Sequence, residues 1–287
     1  MSRSPAPSRS ARARAHAAAV LTALATALVT AFVLAPRTLA ANGPHHAPAD
    51  RDDLVRAVRE AFVGYWSSGD REFSPQLEGV VDYWFRYHVA KAVIAALLTI
   101  VLFALGVLLG KALLRAGGLG RGRRAALASG TVLVTALALF SLAVVMANLQ
   151  GAAAPFASLL PMLGVTSADG ELGTTLDEIR GLLAAQPGAG DRTPPAIEVL
   201  ISDFDRYHMA MAVLASTVVV GLVGVSVLLW KRFAATESSE GRTRRVWASF
   251  GALSVVLSLC VLVVAVANFG TAADPAPALL AFFEGGW

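Results

Sequence analysis

The sequence predicts an all-α integral membrane protein that consists of two tandem transmembrane hairpins, outer amphipathic helices and one N-terminal signal-anchor helix. Three observations lead to this fold class. Hydrophobic residues make up 56% of the 287 residues and charged residues 15%, with a mean hydropathy of +0.62, whereas soluble domains carry about 25% charged residues. Five apolar stretches are long enough to cross a bilayer, and residues 86–160 match residues 206–280 without a gap.

Each apolar stretch has roughly the 20 residues that a transmembrane helix needs. The stretches are residues 17–35, 89–110, 125–147, 209–230 and 246–268. Lys91 is the one charged residue of the last four, and it lies a turn from the end of its stretch, where a lysine can reach the interface. The single cysteine, Cys260, excludes an intrachain disulfide.

The N-terminal region has two interpretations. Residues 1–16 form a basic tail, and residues 17–41 are either an uncleaved anchor or a signal peptide that ends in the small residues Ala40 and Ala41. The apolar part has about 19 residues, which is longer than the 7–15 of a usual signal peptide. The anchor is therefore favoured, and both interpretations place residue 42 on the outer side.

The basic residues indicate the orientation of the spans. Of the 24 lysines and arginines, 14 lie in the N-terminal tail and in the loops at 111–124 and 231–245, and these segments carry a net charge of +12 against −8 elsewhere. By the positive-inside rule these segments are cytoplasmic, which places the C-terminus outside. The excess of arginine over lysine suggests a bacterial protein and a plasma-membrane location.

An internal duplication organises the chain. Between residues 86–160 and residues 206–280, 27 of 75 positions are identical, and the polar matches include Arg-Tyr-His and Ala-Asn. Such self-similarity at a fixed period is typical of structural repeats. We therefore divide the chain into repeat 1, residues 42–160, and repeat 2, residues 161–287. Because each repeat crosses the membrane twice, both copies keep the same orientation, which predicts a parallel repeat.

The outer segments show helical periodicity. Residues 50–65 predict an amphipathic helix capped by Asp50, and residues 175–185 predict another that is capped by Thr175. Ser74-Pro75 and Thr193-Pro194 are typical helix starts. No helix breaker follows them, which predicts long helices over 75–113 and 195–233. Short apolar helices then follow Pro155 and Pro275, suited to the lipid interface or to a packed cap.

The duplicated Arg-Tyr-His triplet is the sharpest candidate site. Hairpin closure brings Asn148 back beside His88, so that two copies could form a ring of Arg, His and Asn around the pseudo-axis. The alternative is anchoring at the lipid headgroups, with Asn as a helix cap. The candidate ligand or partner surface consists of Arg86, Tyr87, His88, Asn148, Arg206, Tyr207, His208 and Asn268.

Four further features have weaker functional interpretations. The charged stripe over 78–86 is a solvated helix face or a cation site. The histidines at 45–46 lack the spaced carboxylate of a metal site. Gly106 and Gly110 allow close helix packing. The glycine-rich segment 117–122 follows no strand, so it is a flexible basic loop rather than a phosphate loop.

These observations favour a non-enzymatic scaffold, sensor or accessory subunit. We expect it to contact the lipid bilayer and a membrane-protein partner or a second copy, with no cofactor, metal or nucleic acid. The first alternative is a small-solute transporter or oligomeric channel, although the spans lack the ionisable groups that coupled transport usually needs. The second alternative is an enzyme with His88 and His208 as bases, which no nucleophile accompanies.

Overall fold

The computed structural model describes residues 9–44, 47–115, 120–185 and 194–286, and within these residues it contains helices and no strand. The basic segment 1–8, the histidines at 45–46, the glycines at 117 and 118, Thr193 and Trp287 lie outside the described residues. The α-helices are α1 (Arg9–Ala40), α2 (Arg51–Ser68), α3 (Pro75–Leu114), α4 (Arg121–Ala153), α5 (Pro155–Leu159), α6 (Gly170–Ala184), α7 (Pro195–Ala235), α8 (Gly241–Ala273) and α9 (Pro275–Phe283).

Five of these helices, α1, α3, α4, α7 and α8, are long and apolar enough to cross a membrane. The predicted all-α class is confirmed for the described residues, and these five helices fit a multi-pass membrane protein. Helices α3 and α7 have 40 and 41 residues, which is about 60 Å at 1.5 Å per residue. The hydrocarbon core of a bilayer is about 30 Å thick, so roughly half of each helix extends beyond it.

The predicted starts of α2 and α3 are found where the capping chemistry placed them, whereas α7 begins at Pro195 with Pro194 as its cap residue. Asp50 accepts a hydrogen bond from the Asp53 amide at 2.9 Å, which caps α2. Ser74 accepts one from the Leu77 amide at 3.3 Å, and α3 begins at Pro75. Gly69 ends α2 in the left-handed region, with φ of 68°, a conformation that glycine adopts without steric cost.

The predicted start of α6 is wrong. This helix begins at Gly170 after Asp169, five residues before the expected cap, and Thr175 lies within it, 6% exposed. The apolar spacing that begins at Leu176 marks only the buried face of the helix. Its first turn is polar and glycine-containing, so hydrophobic periodicity could not reveal it. The predicted buried face is nevertheless present, because Leu176, Ile179 and Leu183 are all buried.

The chain divides into two compact units. The first comprises Met1–Thr38 and Ala90–Val145. Its small core contains Leu102, Leu105 and Val134, with α1 side chains packed against them. The Ser141 hydroxyl lies 2.9 Å from that of Thr99 and donates to the Ala95 carbonyl at 3.0 Å. These bonds join α3 and α4 inside their apolar stretches.

Lys91 also belongs to the first unit. Its ammonium lies 4.5 Å from the ring centroid of Phe32 on α1. A cation over an aromatic face is stabilised by the quadrupole of the ring. The one charged residue of the four later apolar stretches therefore has an aromatic contact as well as a position near the end of its stretch.

The second unit comprises Leu39–Val89 and Met146–Trp287. In it α7 and α8 pack through small side chains, which permit close approach of membrane helices. Ser254 donates to the Leu222 carbonyl at 2.9 Å. A Cβ on Gly251 would lie 3.2 Å from the Trp230 ring. Within the apolar stretches 209–230 and 246–268, the buried small residues are Ala212, Ala215, Ser226, Gly251, Ser254, Ser258 and Ala265.

The second unit also contains a helical cap, which we define as α2, α5, α6, α9, the 3₁₀ turn Leu160–Leu163, and residues 75–89 of α3 and 195–207 of α7. The cap holds the large buried core of the described chain. The rings of Phe62, Tyr65, Phe73 and Phe156 contact one another with centroids 4.9–6.2 Å apart. The short helices that follow Pro155 and Pro275 supply part of this core, as expected for a packed cap.

Candidate functional site

Two histidine–asparagine pairs occupy corresponding positions in the sequence match. His88 Nδ1 on α3 lies 3.1 Å from Asn148 Oδ1 on α4. His208 Nδ1 on α7 lies 2.9 Å from Asn268 Oδ1 on α8. The expected proximity of His88 and Asn148 is therefore present, and it recurs 120 residues later. Each pair joins the helix that leaves the cap to the helix that returns to it.

The hydrogen bonds of Asn268 assign the tautomer of His208. Asn268 Nδ2 donates to the Val264 carbonyl at 2.9 Å, so that its oxygen faces the imidazole. An amide oxygen only accepts, and therefore the Nδ1 of His208 carries the proton. In the neutral ring Nε2 then keeps its lone pair, and this atom is buried without a hydrogen-bond partner among the described residues.

Aromatic rings surround both histidines. Trp84 lies 4.7 Å from the His88 ring and stacks on Tyr87 with an interplanar angle of 5°. Trp84 also donates to Ser158 Oγ at 2.8 Å. In the second copy Phe204 packs on His208, with centroids 4.6 Å apart. The positions equivalent to Trp84 and Ser158 are Phe204 and Ala278. Neither side chain can form a hydrogen bond, so the Trp84–Ser158 bond has no equivalent beside His208.

The arginine of each triplet forms an ion pair with an acidic residue on its own helix. Arg86 forms an ion pair with Asp82, one turn before it. Arg206 pairs with Asp203 at 3.1 Å, because position 202, the equivalent of Asp82, is a serine. The contacts thus join each histidine to an asparagine and each arginine to a carboxylate.

Asp203 is a buried carboxylate that the sequence analysis did not single out. It is 8% exposed, and it accepts a hydrogen bond at 2.8 Å from the amide of Ala157 at the start of α5. Burial raises the pKa of the Asp203 carboxyl above its usual value, against the opposing effects of the Ala157 amide and of Arg206. Asp203 precedes the apolar stretch 209–230, and its hydrogen bond with the amide of Ala157 joins α7 to α5.

Gln150 is a second residue that sequence reasoning missed. It is buried, and its side-chain amide donates to the Tyr207 carbonyl at 3.2 Å. This bond joins the end of α4 to the Arg-Tyr-His segment of α7. A polar residue after Asn148 near a helix end was the available signal, but its partner lies 57 residues away and depends on tertiary packing.

Within the described residues, no group of three or more His, Cys, Asp or Glu side chains is placed to hold a metal ion. The arrangement can instead fix helix ends and present the charged side chains of the cap. Comparison of the chain with protein-family models, with curated proteins and with solved structures gives no match.

Proposed function

We propose that this chain is a multi-pass protein of the bacterial plasma membrane that binds a partner protein or a ligand on its extracytoplasmic side, as a scaffold, sensor or accessory subunit that does not itself catalyse a reaction. The observation that carries this proposal is the cap. Its segments lie next to the apolar stretches in the chain and enclose a separate hydrophobic core. In this core Tyr65, Leu163, Leu176, Leu279 and Phe283 are at most 1% exposed. A folded domain beside the membrane spans provides a surface for recognition.

The charge distribution supports an outer position for the cap. The segments between α3 and α4 and between α7 and α8 are basic, while the chain outside the predicted cytoplasmic segments has a net charge of −8. The positive-inside rule then places the N-terminus in the cytoplasm and the C-terminus outside. We propose that α1 is an uncleaved anchor, in keeping with its 32-residue length.

We further propose that repeats 1 and 2 are parallel transmembrane hairpins from one duplicated unit. The support is the ungapped sequence match together with equivalent contacts: His88 to Asn148 and His208 to Asn268. Apolar helices match by chance more readily than polar pairs do. Agreement of the polar contacts is therefore the stronger argument for duplication.

The proposed partner surface contains the two Arg-Tyr-His segments and their asparagines. In this proposal the His–Asn contacts hold the helix ends, and the arginines meet the partner. Arg206 is the better placed of the two, because 61% of its side chain is exposed against 25% for Arg86. A guanidinium offers several donors in a fixed plane, which suits recognition of a carboxylate or phosphate.

The alternative function, a small-solute transporter or an oligomeric channel, has less support. Hydroxyls in the apolar stretches donate to backbone carbonyls four residues earlier, as Thr131, Thr135 and Ser258 do at 2.7–2.8 Å. Side chains that are satisfied in this way serve helix packing and cost little in the membrane.

The proposal is tested by purifying the full chain from its native membrane in mild detergent. A variant with Arg86, His88, Arg206 and His208 changed to alanine is purified in parallel, and mass spectrometry identifies what accompanies each. We expect a stoichiometric partner with the wild type and its loss from the variant. The control is Arg123→Ala with Arg242→Ala on the predicted cytoplasmic side, which should retain the partner.

Circular dichroism and a monodisperse size-exclusion profile establish that the variants are folded. Absence of any partner from both forms would reject the accessory-subunit proposal and leave liposome flux as the assay for transport. The intact mass of the same sample distinguishes an uncleaved anchor from a removed signal peptide.

A further inference from the structure

A pocket of about 390 Å³ lies in the cap between the end of α2 and the first half of α6. None of the residues in the candidate partner surface lines it. Its lining consists of Trp66, Ser67, Glu171, Thr174, Thr175 and Glu178. The four α6 residues are spaced at i, i+3, i+4 and i+7, so they share one face of that helix.

The hydrogen bonds of the lining leave acceptors facing the pocket. Trp66 Nε1 donates to Glu178 Oε2 at 2.9 Å, which uses the indole donor and fixes the carboxylate. Thr174 donates its hydroxyl proton to the Gly170 carbonyl at 3.2 Å. Carboxylates only accept, and a hydroxyl that has donated still has lone pairs. The lining therefore suits a ligand that supplies hydrogen-bond donors.

The hydroxyl of Thr175 also indicates a ligand in this pocket. It is 6% exposed and lines the pocket, and its hydroxyl has no hydrogen-bond partner among the described residues. Other helical threonines of this chain, such as Thr99 and Thr217, donate to the carbonyl four residues earlier. The Thr175 oxygen is not sealed from solvent, so it is open to the pocket, where a bound group can form the hydrogen bond that the protein does not supply.

The charge of the lining specifies the kind of donor. Glu171 and Glu178 contribute two carboxylates, and none of the described residues that line the pocket is basic. Within the described part of the chain neither glutamate forms an ion pair. The end of α2 adds the partial negative charge of its carbonyl groups. The volume is far larger than one metal ion requires, and two carboxylates fall short of the six to eight oxygens of a calcium site.

From these observations we infer that the pocket binds an organic cation with N–H donors, an ammonium or guanidinium group, between Glu171, Glu178 and Thr175. This inference deepens the proposed function, on which it rests, by naming the chemistry that the cap recognises. The group can belong to a free amine or to a basic side chain of a partner protein.

Isothermal titration of the full chain in detergent tests the inference, with agmatine as the free amine and a Gly-Arg-Gly peptide, blocked at both ends, as the basic side chain. We expect saturable binding of at least one probe. Glu171→Gln and Glu178→Gln should each weaken it about tenfold, which is about 1.4 kcal/mol, since each variant removes a charged acceptor of a hydrogen bond. Thr175→Val, which keeps the shape of the side chain, should weaken it several-fold.

Glu284→Gln is the matched control, because it makes the same change at an exposed glutamate outside the pocket, and its affinity should equal that of the wild type. Preference for agmatine indicates a free-amine site, and preference for the peptide indicates a side chain of a partner. Absence of binding to the folded wild type, or equal binding by all variants, would overturn the inference.

The same pocket variants are also carried through the partner purification. A partner recovered equally with the wild type and with the Glu171→Gln, Glu178→Gln double variant, in the absence of probe binding, refutes the pocket while leaving the proposed function in place. Probe binding that depends on the pocket, with no partner in any purification, supports the cation site and rejects the partner form of the proposed function.

Discussion

His208 and Asn268 form a hydrogen bond in which the asparagine determines the tautomer of the histidine. The Asn268 amide nitrogen donates to the Val264 carbonyl, which leaves its oxygen 2.9 Å from His208 Nδ1. We expect nitrogen NMR of selectively labelled histidine to show His208 with its proton on Nδ1 in the neutral ring. Observation of the proton on Nε2 instead would contradict this hydrogen-bond assignment.

Removal of the asparagine should reveal the energetic effect of the same contact. Asn268→Ala leaves the Nδ1–H of His208 without its acceptor, which should lower the free energy of unfolding by about 1–3 kcal/mol. The measurement is thermal or denaturant unfolding in detergent. Ser239→Ala, at an exposed position of the 3₁₀ turn Ser238–Glu240, is the control and should unfold like the wild type.

Two glycines in helices should respond in opposite ways to the same substitution. A Cβ at Gly151 would lie 2.6 Å from the His88 ring, whereas a Cβ at Gly64 would meet nothing within 4 Å. Gly151→Ala should destabilise by about 1–3 kcal/mol because the imidazole must move. Gly64→Ala should stabilise α2 by about 0.5–1 kcal/mol because alanine loses less backbone entropy. Equal responses of the two variants would argue against the close packing of Gly151 on His88.

The buried carboxylate of Asp203 should make stability depend on pH. Burial raises its pKa in the folded protein, so the folded state binds the proton more tightly than the unfolded state does. The resulting contribution is fully present below the unfolded pKa and is lost as the pH rises through the folded pKa. Asp203→Asn keeps an acceptor for Ala157 but cannot ionise, and it should gain stability relative to the wild type as the pH rises from about 4 towards neutrality.

Asp203→Leu separates the hydrogen bond from the charge. Leucine leaves the amide of Ala157 without its partner, which should cost about 1–3 kcal/mol at every pH. Unfolding of the wild type and both variants across this pH range measures the two effects. A constant difference between wild type and Asp203→Asn would show that the carboxyl does not titrate differently on folding.

The orientation of the cap can be tested with cysteine labelling, because Cys260 is the single native cysteine and is exposed. In a Cys260→Ser background, Glu72→Cys, at an exposed position between the cap helices α2 and α3, should react with a membrane-impermeant maleimide on intact cells. Ser239→Cys, between α7 and α8, should react only after permeabilisation. The reverse pattern would place the basic loops outside and contradict the positive-inside assignment.

Local chemistry was sufficient to predict the long helices. Ser74 and the prolines at the starts of α3 and α7 supply start signals, and uninterrupted helix-forming residues carry both helices to the basic loops. The start of α6 could not be predicted from hydrophobic periodicity because its first turn consists mainly of glycine and glutamate. Similarly, the proximity of His88 and Asn148 could be predicted from a hairpin of two neighbouring helices in the sequence, whereas the partner of Gln150 could not.

Composition and periodicity along the chain were enough to predict the helical class, the five apolar helices and the amphipathic face of α2, and to reveal the 120-residue match. Packing of distant segments was needed to show that Asp203 accepts from the amide of Ala157, that each arginine pairs with an acid on its own helix, and that Glu171, Thr175 and Glu178 line a pocket with Trp66. Those relationships arise from how the segments of the cap pack around their common core, and residues distant in sequence become neighbours only through that packing.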